Sequence, residues 1–63
     1  MIVQFVDTAA GAPVYMNPIY VANLRPDPAD PDHVSIVRLQ DGESIRVKGD
    51  HREVAEKLAH AGG

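Results

Sequence analysis

The sequence predicts an α+β protein: a small antiparallel sheet of about five short strands, with one C-terminal helix packed on it. Three observations predict this class. Two runs rich in β-branched residues flank Asp41-Gly42, which is a strong hairpin signal. Short apolar runs separated by Gly or Pro precede this hairpin, and a segment with apolar residues at helical spacing follows it.

Length and composition restrict the class further. The 63 residues form one domain (1–63), near the lower size limit for folding alone. The chain has no cysteine, so we expect neither disulfides nor Cys-based zinc sites. No apolar stretch approaches the ~20 residues of a membrane span, and no basic N-terminal region precedes an apolar one. We therefore expect a soluble, cytoplasmic protein that self-associates to supplement a small core.

The N-terminal part predicts a hairpin. Residues 2–7 are dominated by β-branched and aromatic side chains and predict the first strand. Residues 8–13 are small, contain Gly and end in Pro, and predict a loop, after which residues 14–16 form a short returning strand. Because the first strand is apolar on both faces, we expect it to be central or to lie at an interface.

Asn17-Pro18 predicts a single helical turn. Asn caps such a turn, and Pro fits its first position because the missing N–H is not needed there. We expect this chain reversal to place Ile19 and Tyr20 in the core. A further strand is predicted over residues 21–25.

Residues 26–32 predict an exposed, stiff loop rich in Pro and Asp. Each proline removes a backbone donor and restricts the residue before it, which excludes a helix or a central strand. A cation site formed by Asp27, Asp30 and Asp32 is the alternative. Calcium loops need a ligand at nearly every second residue and a Gly at the sharp turn, so we expect no metal site here.

The central hairpin spans residues 34–48, and two registers are open. A two-residue loop places Ile45 opposite Arg38, whereas a three-residue loop places Ile45 opposite Val37. We favour the three-residue loop, because it suits Gly42 in a left-handed position and groups the apolar side chains. One face then carries Val37, Leu39, Ile45 and Val47, and the other carries Arg38, Ser44, Arg46 and Lys48.

A C-terminal helix is predicted over residues 51–61. Gly49 breaks the preceding strand, Asp50 and Glu53 form a capping-box-like pair, and Gly62-Gly63 ends the helix. Its apolar stripe is narrow, so the helix covers one face of the sheet. The predicted core consists of Val3, Phe5, Val14, Ile19, Val21, Leu24, Val37, Leu39, Ile45, Val47, Val54 and Leu58.

No constellation for catalysis is visible. His33, His51 and His60 lack the i,i+4 spacing of a helical metal pair. Ser35 and Ser44 lie in strand patterns without the context of a nucleophile elbow. The glycines are isolated, so no phosphate-binding loop is predicted. We therefore expect no catalytic residue, no cofactor and no enzymatic activity.

Two sets of residues are candidates for binding partners. A basic strip on the hairpin face and the helix start would dock an acidic protein or a phosphate backbone, or would serve only as a solvated face. An oligomer interface is predicted where apolar residues fall on otherwise polar faces. The basic strip is Arg38, Arg46, Lys48 and Arg52, and the oligomer interface is Ile2, Val6, Val34 and Ile36.

Three segments together resemble a known family. They are V-Y-M-N-P-x-Y-V-x-x-L (14–24), I-V-R-L-x-D-G-E-S-I-R-V (36–47) and x-E-V-A-E-K-L (52–58). This pattern resembles the short FlbD-like (SwrD-like) flagellar proteins and, more distantly, the β-rich LytTR DNA-binding domains. The loop at 26–32 is longer and richer in proline than in the short flagellar proteins. The resemblance implies a small regulatory or accessory module that works by binding.

Two main functions follow as hypotheses. The first is a non-enzymatic accessory or regulatory protein that binds other proteins and forms a homo-oligomer. The second is a nucleic-acid-binding regulator that uses the basic strip, although the net charge of −3 does not favour it. A small-ligand site between subunits is a third hypothesis.

Overall fold

The computed structural model describes residues 1–61 and confirms the α+β class. Five strands precede one C-terminal helix, and a short 3₁₀ turn over Pro18–Tyr20 lies between the second and third strands. The prediction that Gly62-Gly63 ends the helix lies outside the described residues. The elements are β1 (Val3–Val6), β2 (Pro13–Met16), β3 (Val21–Pro26), β4 (Val34–Leu39), β5 (Ser44–Lys48) and α1 (His51–Ala61).

The strands form two antiparallel units that meet at one point. β1 and β2 form a two-stranded ribbon, and β3, β4 and β5 form a three-stranded sheet with β4 in the centre. The end of β1 joins this sheet through a bridge between Asp7 and Val47. The Thr8 N–H also donates to the Arg46 carbonyl at 2.9 Å. The ribbon therefore continues the sheet beyond β5.

The hairpin has the register of the three-residue loop. Val37 is paired with Ile45, and the Leu39 N–H donates to the Glu43 carbonyl at 2.7 Å. Gly42 has a φ of 93°, which L side chains rarely adopt, and its N–H donates to the Leu39 carbonyl. This register buries Val37 and Val47 completely on the inner face of the sheet.

The core contains eleven of the twelve predicted residues, five of them buried and six partly buried. Its buried members are Val3, Phe5, Met16, Val37, Val47 and Val54. Six partly buried side chains pack against them: Val14, Val21, Leu24, Leu39, Ile45 and Leu58. Met16 was not predicted to be buried, although it lies two residues after Val14 and so shares its face of β2.

The prediction that Ile19 and Tyr20 are buried is wrong. Their side chains are 69% and 59% exposed. The Asn17 side chain caps the turn by accepting from the Ile19 N–H at 3.1 Å, as predicted. The carbonyls of Ile19 and Tyr20 accept hydrogen bonds from the side chain and the backbone N–H of Gln40. The turn is thus fixed by its backbone, and the two side chains extend into solvent.

The helix begins as the sequence predicts and covers the inner face. The Glu53 N–H donates to Asp50 Oδ1 at 2.8 Å, which satisfies one of the free donors of the first turn. Val54 is buried with Val37 and Val47. Lys57 Nζ donates to the Gln4 carbonyl at 2.8 Å and lies 4.8 Å from the centroid of the Phe5 ring. These contacts join α1 to β1. Within residues 1–61, no helix is both long enough and apolar enough to span a membrane.

We expect Asp50→Ala to reduce the free energy of unfolding by about 1 kcal/mol, because it removes the N-cap acceptor. Urea denaturation followed by circular dichroism measures this. Glu56→Ala, an exposed substitution in the same helix, is the control and should change the free energy by less than about 0.5 kcal/mol. Equal urea midpoints for the two variants would contradict a role of Asp50 as the cap.

Candidate binding surfaces

The outward side of the three-stranded sheet is polar and basic. The register pairs Ile36 with Arg25 on one side and with Arg46 on the other, so these three side chains form a row across the sheet. Arg38 and Lys48 lie in the two neighbouring rows, which are formed by the same strand pairing. We call this surface the outer face; it consists of Asn23, Arg25, Val34, Ile36, Arg38, Ser44, Arg46 and Lys48.

An ion pair crosses the outer face. Asp27, just after β3, accepts a hydrogen bond from Arg46 Nε at 2.6 Å, and Arg46 Nη2 pairs with the same carboxylate oxygen. β3 and β5 are separated by β4 and thus by roughly 9.6 Å, so the pair spans the central strand. Val34 and Ile36 on that strand are half-buried. The Arg46 side chain therefore covers apolar surface with its stem while its charge meets Asp27.

Asp27 is the exception in the loop that was predicted to be exposed. Its side chain is buried, with 4% of the residue exposed, whereas Pro28, Ala29, Pro31 and Asp32 are exposed. The hydrogen bond from the Ala29 N–H to Asp27 Oδ1 lowers the pKa of this carboxyl below its usual 3.8, and Arg46 lowers it further, while burial opposes both. Burying a carboxylate is unfavourable unless a partner binds it, and Arg46 is that partner for Asp27.

This geometry predicts a pH-dependent effect of Asp27→Asn. A carboxyl with a lowered pKa stabilises the fold above its unfolded value of 3.8, and this stabilisation is lost as the pH falls through the folded pKa. At pH 7 we expect the variant to unfold at lower urea concentration than the natural chain. The difference should shrink below pH 3.8.

The control for this prediction is Asp32→Asn, the same substitution at an exposed position of the same loop. It should leave the urea midpoint unchanged at both pH values. A difference between Asp27→Asn and the natural chain that stays constant from pH 7 to below 3.8 would contradict the assigned ion pair.

The predicted basic strip lies on the outer face in part. Arg38, Arg46 and Lys48 share this face, whereas Arg52 is exposed on α1, which packs against the opposite side of the sheet. Arg25 also belongs to the face and was missed. In the predicted strand, apolar Leu24 is followed by charged Arg25, and this alternation could have identified Arg25 as a residue of the outward side. Among the basic side chains of residues 1–61, only Arg46 and His33 form ion pairs, so Arg25, Arg38 and Lys48 form none. Lys48 shares a cavity with the carboxylates of Asp30, Asp32, Asp50 and Glu53.

The predicted oligomer interface divides between two places. Val34 and Ile36 lie in the middle of the outer face, and Val6 lines a groove of about 230 Å³ together with Lys48. Ile2 lies at the start of the ribbon and is 61% exposed. Most of the predicted interface and most of the predicted strip therefore belong to one continuous surface.

A second exposed surface is formed by a stretch of the chain that has no charged side chain. Residues 8–24 include no charged side chain, although charged residues make up 24% of the chain. Tyr15 on β2 is 61% exposed, and Ile19 and Tyr20 of the adjoining turn are exposed too. Among the described strands β2 pairs only with β1, so its other edge is unpaired. We call Tyr15, Ile19, Tyr20 and this edge the uncharged surface, which Asp41 borders beside Tyr20.

Six titratable side chains line one open cavity of about 510 Å³ beside the start of α1: Asp30, Asp32, His33, Lys48, Asp50 and Glu53. His33 Nδ1 bonds Asp30 Oδ1 at 2.8 Å, which raises the pKa of His33, and His51 and His60 are exposed on α1. No group of three His, Asp or Glu residues between 1 and 61 is arranged to hold a metal ion. Over the same range every buried side-chain N or O atom has a partner, as in the 2.8 Å bond from Ser35 Oγ to the Gly49 carbonyl.

Comparison with known proteins gives no assignment. No family model, no curated protein and no solved structure matches this chain. The resemblance to the FlbD-like proteins stays a prediction, and the function is argued from the two surfaces.

Proposed function

We propose that this protein is a non-enzymatic accessory module of the cytoplasm that binds proteins and acts as a homo-oligomer, with two copies joined at the uncharged surface. The observation that carries the proposal is the exposure of Tyr15, Ile19 and Tyr20 within a stretch that has no charge. Large apolar side chains grouped in this way are typical of interaction sites.

The edge of β2 supports the same surface. Monomeric proteins protect exposed strand edges with charged side chains, bulges or proline. Here Pro13 blocks only the first position of β2, and Val14, Tyr15 and Met16 follow with no charge. Such an edge can pair with the same edge of a second copy related by a twofold axis.

Charge and area also favour a second copy at this place. Each chain has a net charge of −3, so two copies repel one another, and the repulsion is smallest where the contact surface is uncharged. A small stable interface needs about 600 Å² from each partner, which is about one seventh of the 4099 Å² that this chain exposes. Burial there would supplement a core of only six buried apolar side chains.

Light scattering after size exclusion, at low and high salt, tests the proposal. We expect twice the monomer mass at both salt concentrations, because apolar contacts are not screened by salt. Tyr15→Lys places a charge on the edge strand and should give a monomer. Ala59→Lys adds the same charge at an exposed helix position and should leave the dimer intact.

Two outcomes would contradict the proposal. A natural chain that is monomeric at every concentration would remove the homo-oligomer. A dimer that persists equally in Tyr15→Lys and Ala59→Lys would place the interface away from the uncharged surface.

A further inference from the structure

We infer that the outer face of the three-stranded sheet binds an acidic, extended segment of another protein. Carboxylates of that segment would pair with Arg25, Arg38 and Lys48, and its apolar side chains would contact Ile36 and Val34. This inference goes beyond self-association, because the outer face shares no residue with the uncharged surface.

The charge distribution is the first argument. Arg25, Arg38 and Lys48 lie on one face of an acidic protein without an ion-pair partner among residues 1–61. Positive charges grouped in this way attract an acidic partner and set its orientation. The apolar side chains between them give such a partner surface to bury.

The spacing of the side chains is the second argument. Arg38, Ile36 and Val34 are alternate residues of β4 and follow one another at roughly 6.8 Å. Side chains on one side of an extended peptide repeat at the same distance. Only every second residue of an extended segment points to the outer face, so a segment whose every second residue is acidic and apolar by turns can meet a cation and an aliphatic side chain in succession.

Asp27 is the third argument, because it is a carboxylate already bound on this face. It lies next to β4, where its N–H donates to the Val34 carbonyl, and its side chain takes two nitrogens of Arg46. The ion pair shows that the outer face holds a carboxylate beside its aliphatic centre. Because Asp27 is bound to the guanidinium group of Arg46, it competes with a carboxylate of the partner for that group.

The chemistry of the face favours an acidic protein over a nucleic acid. Proteins that bind single strands stack bases on aromatic side chains. The outer face has none: Phe5 is in the core, and Tyr15 and Tyr20 lie on the ribbon and the turn.

Fluorescence anisotropy with a labelled peptide of the repeat Glu-Ser-Val-Ser, here called the Glu-Val peptide, tests the inference, because Glu and Val then alternate on one side of the extended chain. We expect this peptide to bind, and a peptide of the repeat Lys-Ser-Val-Ser not to bind. Arg38→Glu should weaken binding roughly tenfold or more, because it replaces an attraction by a repulsion. Arg52→Glu changes the charge by the same amount on α1, away from the outer face, and should weaken binding much less.

Asp27→Asn should change the affinity for the peptide in the opposite direction. It removes the competing carboxylate and keeps the acceptor for the Ala29 N–H, so the Glu-Val peptide should bind more tightly than to the natural chain. A loss of fold cannot produce such a gain. Circular dichroism of each variant confirms that it is folded.

Three outcomes would overturn the inference. The first is no binding of the Glu-Val peptide to either the natural chain or Asp27→Asn. The second is an equal loss in Arg38→Glu and Arg52→Glu. The third is tighter binding of a single-stranded oligothymidylate than of the peptide, which would assign the face to nucleic acid. Light scattering of Arg38→Glu should still give the dimer mass, so failure here leaves the proposed function standing.

Discussion

Phe5→Ala should lower the free energy of unfolding by about 3–5 kcal/mol at 25 °C. Phe5 is 4% exposed and packs with Val3, Met16 and the inner face of the sheet, and Lys57 covers its ring. Replacing a buried Phe by Ala costs about 3–5 kcal/mol, because apolar contacts are lost and a cavity remains. A chain of 63 residues has a total stability of roughly 3–9 kcal/mol, so this loss is at least about a third of the total.

Far-ultraviolet circular dichroism with urea titration measures this effect. Gln4→Ala is the control, because Gln4 neighbours Phe5 on β1, is exposed, and contacts Lys57 through a backbone carbonyl that alanine retains. It should change the free energy of unfolding by less than about 0.5 kcal/mol. A cooperative transition of Phe5→Ala at the midpoint of the natural chain would show that the core is not organised around this ring.

The second large effect is expected for Gly49→Ala, which should reduce stability by about 1–3 kcal/mol. Gly49 has a φ of 118°, and an added Cβ would lie 3.2 Å from Glu53 Oε2 and 3.4 Å from Val54 Cγ2. Its backbone cannot shift freely. Its N–H donates to the His33 carbonyl at 2.7 Å, and its own carbonyl accepts from buried Ser35.

Gly42→Ala separates the two causes of this effect. Gly42 has a φ of 93°, and nothing lies within 4 Å of a Cβ there, so this variant tests backbone strain alone. Thermal melting should give the lower Tm for Gly49→Ala, by about 4–8 °C for each 1 kcal/mol of difference. Equal Tm values for both variants would mean that the contacts of Gly49 with the helix do not contribute.

The parts of the fold that sequence alone predicts are local. Asp41-Gly42 and the period of two determine the register of the central hairpin, because a shift by one residue would turn Val37 and Val47 to the outside. Asn17 and Asp50 were predicted as caps from residue type and position, and both accept the expected N–H. In each case the interacting groups lie within a few residues of one another, so spacing decides the outcome.

The candidate surfaces depend on contacts between distant parts of the chain. Asp27 and Arg46 are separated by a loop and two strands, and no local pattern shows that a carboxylate from a proline-rich loop reaches across β4. Arg25 joins the basic residues only through the pairing of β3 with β4. The predicted strip therefore included Arg52, which lies near Lys48 in sequence but on the helix.

Turn chemistry and apolar periodicity are enough to predict the α+β class, the hairpin register, the helix and its cap. The tertiary structure decided which apolar side chains are buried. Ile19 and Met16 have similar hydrophobicity, but Gln40 fixes the carbonyl of Ile19 at the hairpin while β2 directs Met16 inward. Tyr15 is exposed because it alternates with buried Met16 on β2, and Ile19 and Tyr20 are exposed on the turn that Gln40 holds by its backbone.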